Sequence, residues 1–266
     1  GTGTITQTQI STVHTFFNIA TTVLLFPVSN LIIKLAKKIG GVKENEADRS
    51  KILLDDRMLE TPSIALQSVI NETVRMGEIV RESLNVAKNV LHTKSEADLC
   101  VLKEDESVVD RLCAGITDYT IKLSALQISE REHQTTAHLL QVLSDIERVS
   151  DYCENISEFA ETMIEKKLEF SDIANEQLDE MIAASVDSYN YALDAFKEES
   201  TEKALKVIEK ETQVDDLEIT LRTGHMKRLA KNECNTEAGV VFLDTLVCME
   251  RISDHARNIA EEVLGN

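Results

Sequence analysis

Apolar residues recur at alternating steps of three and four along Leu139, Val142, Ile146, Val149, Cys153, Ile156, Ala160 and Met163, the spacing of one face of an α-helix in a bundle. The same seam returns 103 positions later as Phe242, Thr245, Met249, Ile252, Ala256, Ile259 and Val263, with Thr245 as its polar lapse. A long unit written twice predicts two similar bundles rather than a solenoid. Residues 63–266 contain no proline, so long helices meet no strong breaker there. Six are predicted, at about 61–93, 95–128, 132–168, 171–198, 201–231 and 236–264. Thr61 before Pro62 marks the first start, and Ser95, Ser171 and Thr236 are predicted N-caps, Ser95 with Asp98 resembling a capping box. The predicted fold class is all-α, with tandem three-helix bundles over 61–168 and 169–266.

The front of the chain follows another pattern. From Phe16 to Ile33 there is no charge over 18 residues, and Lys34, Lys37 and Lys38 follow. As a helix this stretch is roughly 27 Å long, just under a bilayer core of about 30 Å. Asn18, Ser29, Asn30 and Pro27 weaken the apolar run, which leaves two readings of residues 1–40: a membrane-crossing helix, or an amphipathic helix packed on the rest. If it crosses, the lysines put everything after them on the cytoplasmic side of the membrane. Residues 41–60, entered through Gly40-Gly41 and mixed in charge, read as a linker with one helical turn.

Charge removes one class of partner. The net charge is −19, which repels phosphate backbones, so nucleic acid is excluded. Residues 1–40 carry three lysines and no acid, so the excess of carboxylates falls on the helical part. The five cysteines are scattered without C-x-x-C spacing, as expected of reduced thiols, most of them in the core.

The acids are not randomly placed. Glu147 and Asp151 share one helix face, as do Glu250 and Asp254, and the preceding helix of each unit offers Glu106 with Asp110 and Glu211 with Asp215. A single E-x-x-x-D means little in so acidic a chain, but four at repeat-equivalent places mean more. Like charges at i, i+4 destabilise a helix by about 0.2–0.5 kcal/mol. Arg148 and Arg251 can offset part of this through i, i+3 contact with Asp151 and Asp254, and a surface lattice of that kind is the plain alternative. Four converging carboxylates call for a stronger countercharge, a multivalent cation. All-oxygen ligation favours hard metals such as iron, manganese, magnesium or calcium over copper, with zinc still open.

At these residues the chain resembles the PhoU family, whose signature is E/D-x-x-x-D followed by an Asn-Ile and small-residue stretch. "DIERVSDYCENISEFAE" and "MERISDHARNIAEE" carry the match. The resemblance implies paired three-helix bundles that bind metal clusters on their surface and regulate phosphate uptake or signalling. It makes Glu106, Asp110, Glu147, Asp151, Glu211, Asp215, Glu250 and Asp254 the expected ligands, with Arg148 and Arg251 behind them and Asp105 or Asp216 as substitutes. The expected metal is iron, with zinc or manganese as alternatives. "STVHTFFNIATTVLLFP" and "LDDRMLETPSIALQSVINETVRMGEIV" are further similar to the Na/Pi cotransporter family, where the last membrane helix joins a C-terminal PhoU-like domain.

The first expectation is therefore a metal-binding regulatory domain of a sodium-dependent phosphate symporter, its partner the membrane portion of the same polypeptide. The alternative is a soluble PhoU-type regulator acting on a separate phosphate transporter or kinase, and a homo-oligomer is left open by the sequence. A di-iron carboxylate enzyme needs paired E-x-x-H motifs, and Glu130–His133 has no twin, so no enzyme is expected. Glu72 and His255 read as solvated side chains.

Overall fold

Extended backbone at Thr61 (φ −129°, ψ 87°) feeds Pro62 into the first position of a helix, where its missing N–H costs nothing. The computed structural model describes residues 49–265, and the apolar stretch within residues 1–40 lies outside them. A short 3₁₀ helix, Asp56–Glu60, precedes six α-helices. These are α1 (Pro62–Thr93), α2 (Glu96–Ser124), α3 (Glu130–Lys166), α4 (Asp172–Glu198), α5 (Thr201–Ala230) and α6 (Thr236–Leu264). None is long and apolar enough to cross a membrane.

Local chemistry sets most helix starts. The Ser95, Ser171 and Ser200 hydroxyls accept from the backbone N–H of Asp98, Ala174 and Lys203. Ser129 and Glu132 form a reciprocal capping box, which begins α3 two residues before the predicted start. Thr61 makes no side-chain cap bond. The cap of α6 is Asn235, not Thr236: the Asn235 carboxamide oxygen accepts from both Glu237 and Ala238 N–H, leaving Thr236 inside the first turn.

The seam read from the sequence is the core. Leu139, Val142, Ile146, Val149, Cys153, Ile156, Ala160 and Met163 are buried, as are Phe242, Thr245, Met249, Ile252, Ala256 and Ile259. Thr245 is satisfied within its helix by donating to Val241 O at 2.8 Å. Helices α1–α3 pack together, α4–α6 pack together, and the two bundles join through α3 against α6 and α1 against α4.

The α1–α4 crossing is close because Gly77 has no side chain. Tyr189 donates to Gly77 O at 3.0 Å, and a Cβ at Gly77 would stand 2.5 Å from Leu193 Cδ1. Gly77→Val, which adds a stiff branched side chain here, is expected to destabilise the fold by about 1–3 kcal/mol, read as a lower urea midpoint at unchanged slope.

Outside the seam, Glu72 is buried rather than solvated. It accepts from Leu53 N–H at 3.0 Å and from Arg75, tying the segment before the 3₁₀ helix to α1. Of its two partners Arg75 lies on the same helix, but Leu53 lies outside it, where helical spacing carries no signal.

Candidate functional site

Carboxylates four apart lie one turn apart on a single helix face, so α2 presents Glu106 and Asp110 together, and α3 presents Glu147 and Asp151. Packing of α2 on α3 brings oxygens of Glu106, Asp110 and Asp151 within 4.8 Å of one another. In the second bundle α5 and α6 do the same with Glu211, Asp215 and Asp254. Glu147 and Glu250 stand outside these trios. Each lies beside its chain neighbour, Glu147 3.8 Å from Arg148 and Glu250 3.4 Å from Arg251. The same guanidiniums donate to Asp151 at 3.2 Å and Asp254 at 3.0 Å, as the i, i+3 spacing predicts.

Asp105 and Asp216 do not substitute. Asp105 is buried against α1, accepting from Ser83 at 2.8 Å, and Asp216 is exposed and outside the trio. Burial and acidic neighbours push the patch carboxyls upward. Glu106 is raised to about 7, first by desolvation, then by Asp110 and Glu154. Glu147 and Asp151 are raised by desolvation, against the pull of Arg148. On the other side desolvation and Glu211 raise Asp215, while desolvation and Asp254 raise Glu250 against Arg251.

Both patches favour protonation of groups that are normally ionised at neutral pH. A cation delivers that positive charge without a proton. The donor set is all oxygen, ranges from the exposed Asp110 to the buried Glu211 and is drawn from two packed helices, which fits a hard multivalent cation.

Two nearby residues escaped the sequence reading. Glu154 on α3 and Arg257 on α6 each lie three residues beyond the patch aspartate, and shifting one repeat onto the other would have paired them. His255 is also not a free surface residue: its Nδ1 lies 2.8 Å from Asp145 Oδ1 across the α3–α6 seam, and its ring stands 5.9 Å from Tyr152. When protonated it favours the ionised forms of Glu147 and Asp151, so the seam runs beside the first patch.

With this geometry in place, comparison with known proteins gives a consistent family. The PhoU domain profile matches residues 73–160 and 178–263. The phosphate-specific transport system accessory protein PhoU homolog 1 of Thermotoga maritima is 26% identical over 200 residues, spanning 73% of this chain and 83% of that protein. YjbB of Salmonella typhimurium, named for inorganic phosphate export, is 23% identical over 256 residues. That alignment takes in 94% of this chain but only 47% of YjbB, so the chain spans about half of that relative. The crystal structure of PhoU from Pseudomonas aeruginosa superposes with a TM-score of 0.71 at 22% identity, covering 75% of this chain and 95% of that one. PhoU from Streptococcus pneumoniae gives 0.69 at 20% identity, over 77% and 95%.

Proposed function

The chain belongs to the PhoU family, and from that premise we propose that it regulates phosphate transport through two surface patches that each hold a multivalent cation. A PhoU-family chain is a regulator and not an enzyme. The observation that carries the cation reading is the repetition: two carboxylate trios, each drawn from two helices and each within 4.8 Å. Glu106, Asp110 and Asp151 would hold one cation and Glu211, Asp215 and Asp254 the other, with Glu147 and Glu250 a turn away and free to join after a change of rotamer. Iron, zinc and manganese all suit these donors. Bound cations would replace net negative patches by near-neutral ones, changing the face offered to a partner.

The partner in this reading is a separate phosphate transporter or a kinase that controls one, reached from the cytoplasmic side of the membrane. A second reading, in which the chain is continuous with a sodium-coupled phosphate symporter, is favoured by the YjbB alignment, which extends over 94% of this chain. The coding sequence upstream of Gly1 separates the two: several membrane helices in frame support the second and their absence the first.

The regulatory role is tested in a bacterium deleted for its own PhoU-family protein. The wild-type chain should restrain phosphate uptake under phosphate excess, and the Asp110→Asn/Asp215→Asn double variant should not. Equal restraint by both would remove the cations from the mechanism, and no restraint by the wild type would remove the regulatory role.

Because Glu106 is raised to about 7, a cation at the first patch must displace a proton below that pH. Affinity there is expected to rise by about tenfold per pH unit from 5.5 to 7 and to flatten above. Calorimetric titrations in buffers of different ionisation enthalpy should show about one proton released per cation at pH 6 and almost none at pH 8.

A further inference from the structure

The two patches differ at one repeat-equivalent position. Beyond Asp254, Arg257 donates from Nη1 to Glu211 Oε1 at 2.7 Å and from Nε to Glu261 Oε1 at 2.8 Å. Beyond Asp151, the corresponding residue is Glu154, which bears with like charge on Glu106. The other nearby charges do not even out the difference. Arg148 and Arg251 act alike on their aspartates. Lys103, on the first side, is engaged by Glu161 at 2.6 Å and also bears on Glu154, and Glu218, on the second, is paired with Arg222. Glu211 is 5% exposed, so its oxygen has little water to fall back on and the guanidinium is its main countercharge.

On the reading that the patches hold cations, we propose that they are graded in affinity by this exchange. The first patch meets only the Arg148 guanidinium at Asp151, matched by Arg251 at Asp254 on the other side, and is pulled toward a multivalent cation by a further carboxylate, Glu154. The second carries its own competitor, because a cation using both Glu211 oxygens must displace the Arg257 guanidinium. The first patch would then stay filled at low cation levels, while the second would fill and empty within the working range, making it the sensing half. Arg257 is the residue that sets the gap. One charge-assisted hydrogen bond to a carboxylate corresponds to roughly 10- to 100-fold in affinity.

Titration of the 266-residue chain with manganese, followed by calorimetry and by loss of the free-ion paramagnetic resonance signal, tests this. Two classes of site are expected, separated by roughly 10- to 100-fold. Asp110→Asn should abolish the tighter class and Asp215→Asn the weaker. Arg257→Gln should tighten the weaker class toward the other, Arg257→Lys should do so less, and Glu154→Arg should weaken the tighter one. The Arg257 side chain is 43% exposed, so its variants should keep the wild-type circular dichroism. The grading is overturned if Arg257→Gln leaves the weaker class unmoved, or if Asp215→Asn removes the tighter class. A wild-type chain that binds no manganese, iron or zinc at all overturns instead the cation reading on which the grading rests.

Discussion

Manganese at a hundred times the dissociation constant of the weaker patch is expected to raise the melting temperature of the chain by about 10 °C or more. A ligand that binds only the folded state contributes about 2.7 kcal/mol at that excess and about 4.1 at a thousandfold excess, so the weaker site and a tenfold tighter one together give about 7 kcal/mol. For a helical domain of this size each kcal/mol moves the midpoint by about 2–4 °C. Asp110→Asn should remove the larger part of the gain, Asp215→Asn the smaller, and the double variant nearly all. The sign of the pH effect follows from the raised carboxyls. Their folded-state values lie above the unfolded ones, so without metal they stabilise the fold at low pH and lose that contribution as pH rises toward 7. The metal-free chain should lose stability from pH 5 to 7.5 at these groups, and the manganese-induced shift should be larger at pH 7.5 than at 5.5. Differential scanning calorimetry with and without chelator checks both, and a shift below 2 °C with saturating metal would contradict the reading.

Asp145→Ala is expected to cost about 2–4 kcal/mol, the second largest effect. Asp145 is buried on α3, and its Oδ1 accepts from His255 at 2.8 Å and from Asn258 at 3.0 Å, both on α6. Its Oδ2 accepts from Gln141 at 3.2 Å. Truncation leaves the donors on α6 without a partner in the seam, and that penalty exceeds what the intact bonds contribute. Asp145→Asn keeps the shape and one acceptor oxygen and should cost less. A double-mutant cycle with His255→Phe, measured by urea unfolding, should show coupling of at least about 1 kcal/mol; additive losses would mean that the two side chains touch without supporting each other.

The helices were legible because their signals are local. The seam in α3 and α6, the missing prolines and the serine caps all act within one turn or one face. The start of α3 was equally available, since Ser129 and Glu132 stand three apart in the sequence. The cap of α6 was ambiguous because Asn235 and Thr236 are both capping types, and only the backbone turn decides between them. The patches were legible through duplication, which separated eight acids from a chain full of them. Spacing could not show that Glu147 and Glu250 lie outside the trios, because that depends on which way each side chain turns beside its own arginine. Glu72 and His255 were misjudged for a related reason. The first meets Leu53 and the second meets Asp145, 110 positions away, and no helical periodicity reports such meetings.

The α3–α6 seam is built from near-copies of one sequence, which raises the problem of how each half tells its sister from itself. The position that is Asp145 in one copy is Cys248 in the other, and Tyr152 in one is His255 in the other. Only the mixed pairing sets carboxylate against imidazole. Two first halves would oppose Asp145 to Tyr152, and two second halves would oppose Cys248 to His255. If the chain were cut in the α3–α4 connection, the pieces should therefore reassemble one to one in preference to self-pairing, as a lock that accepts only its own key.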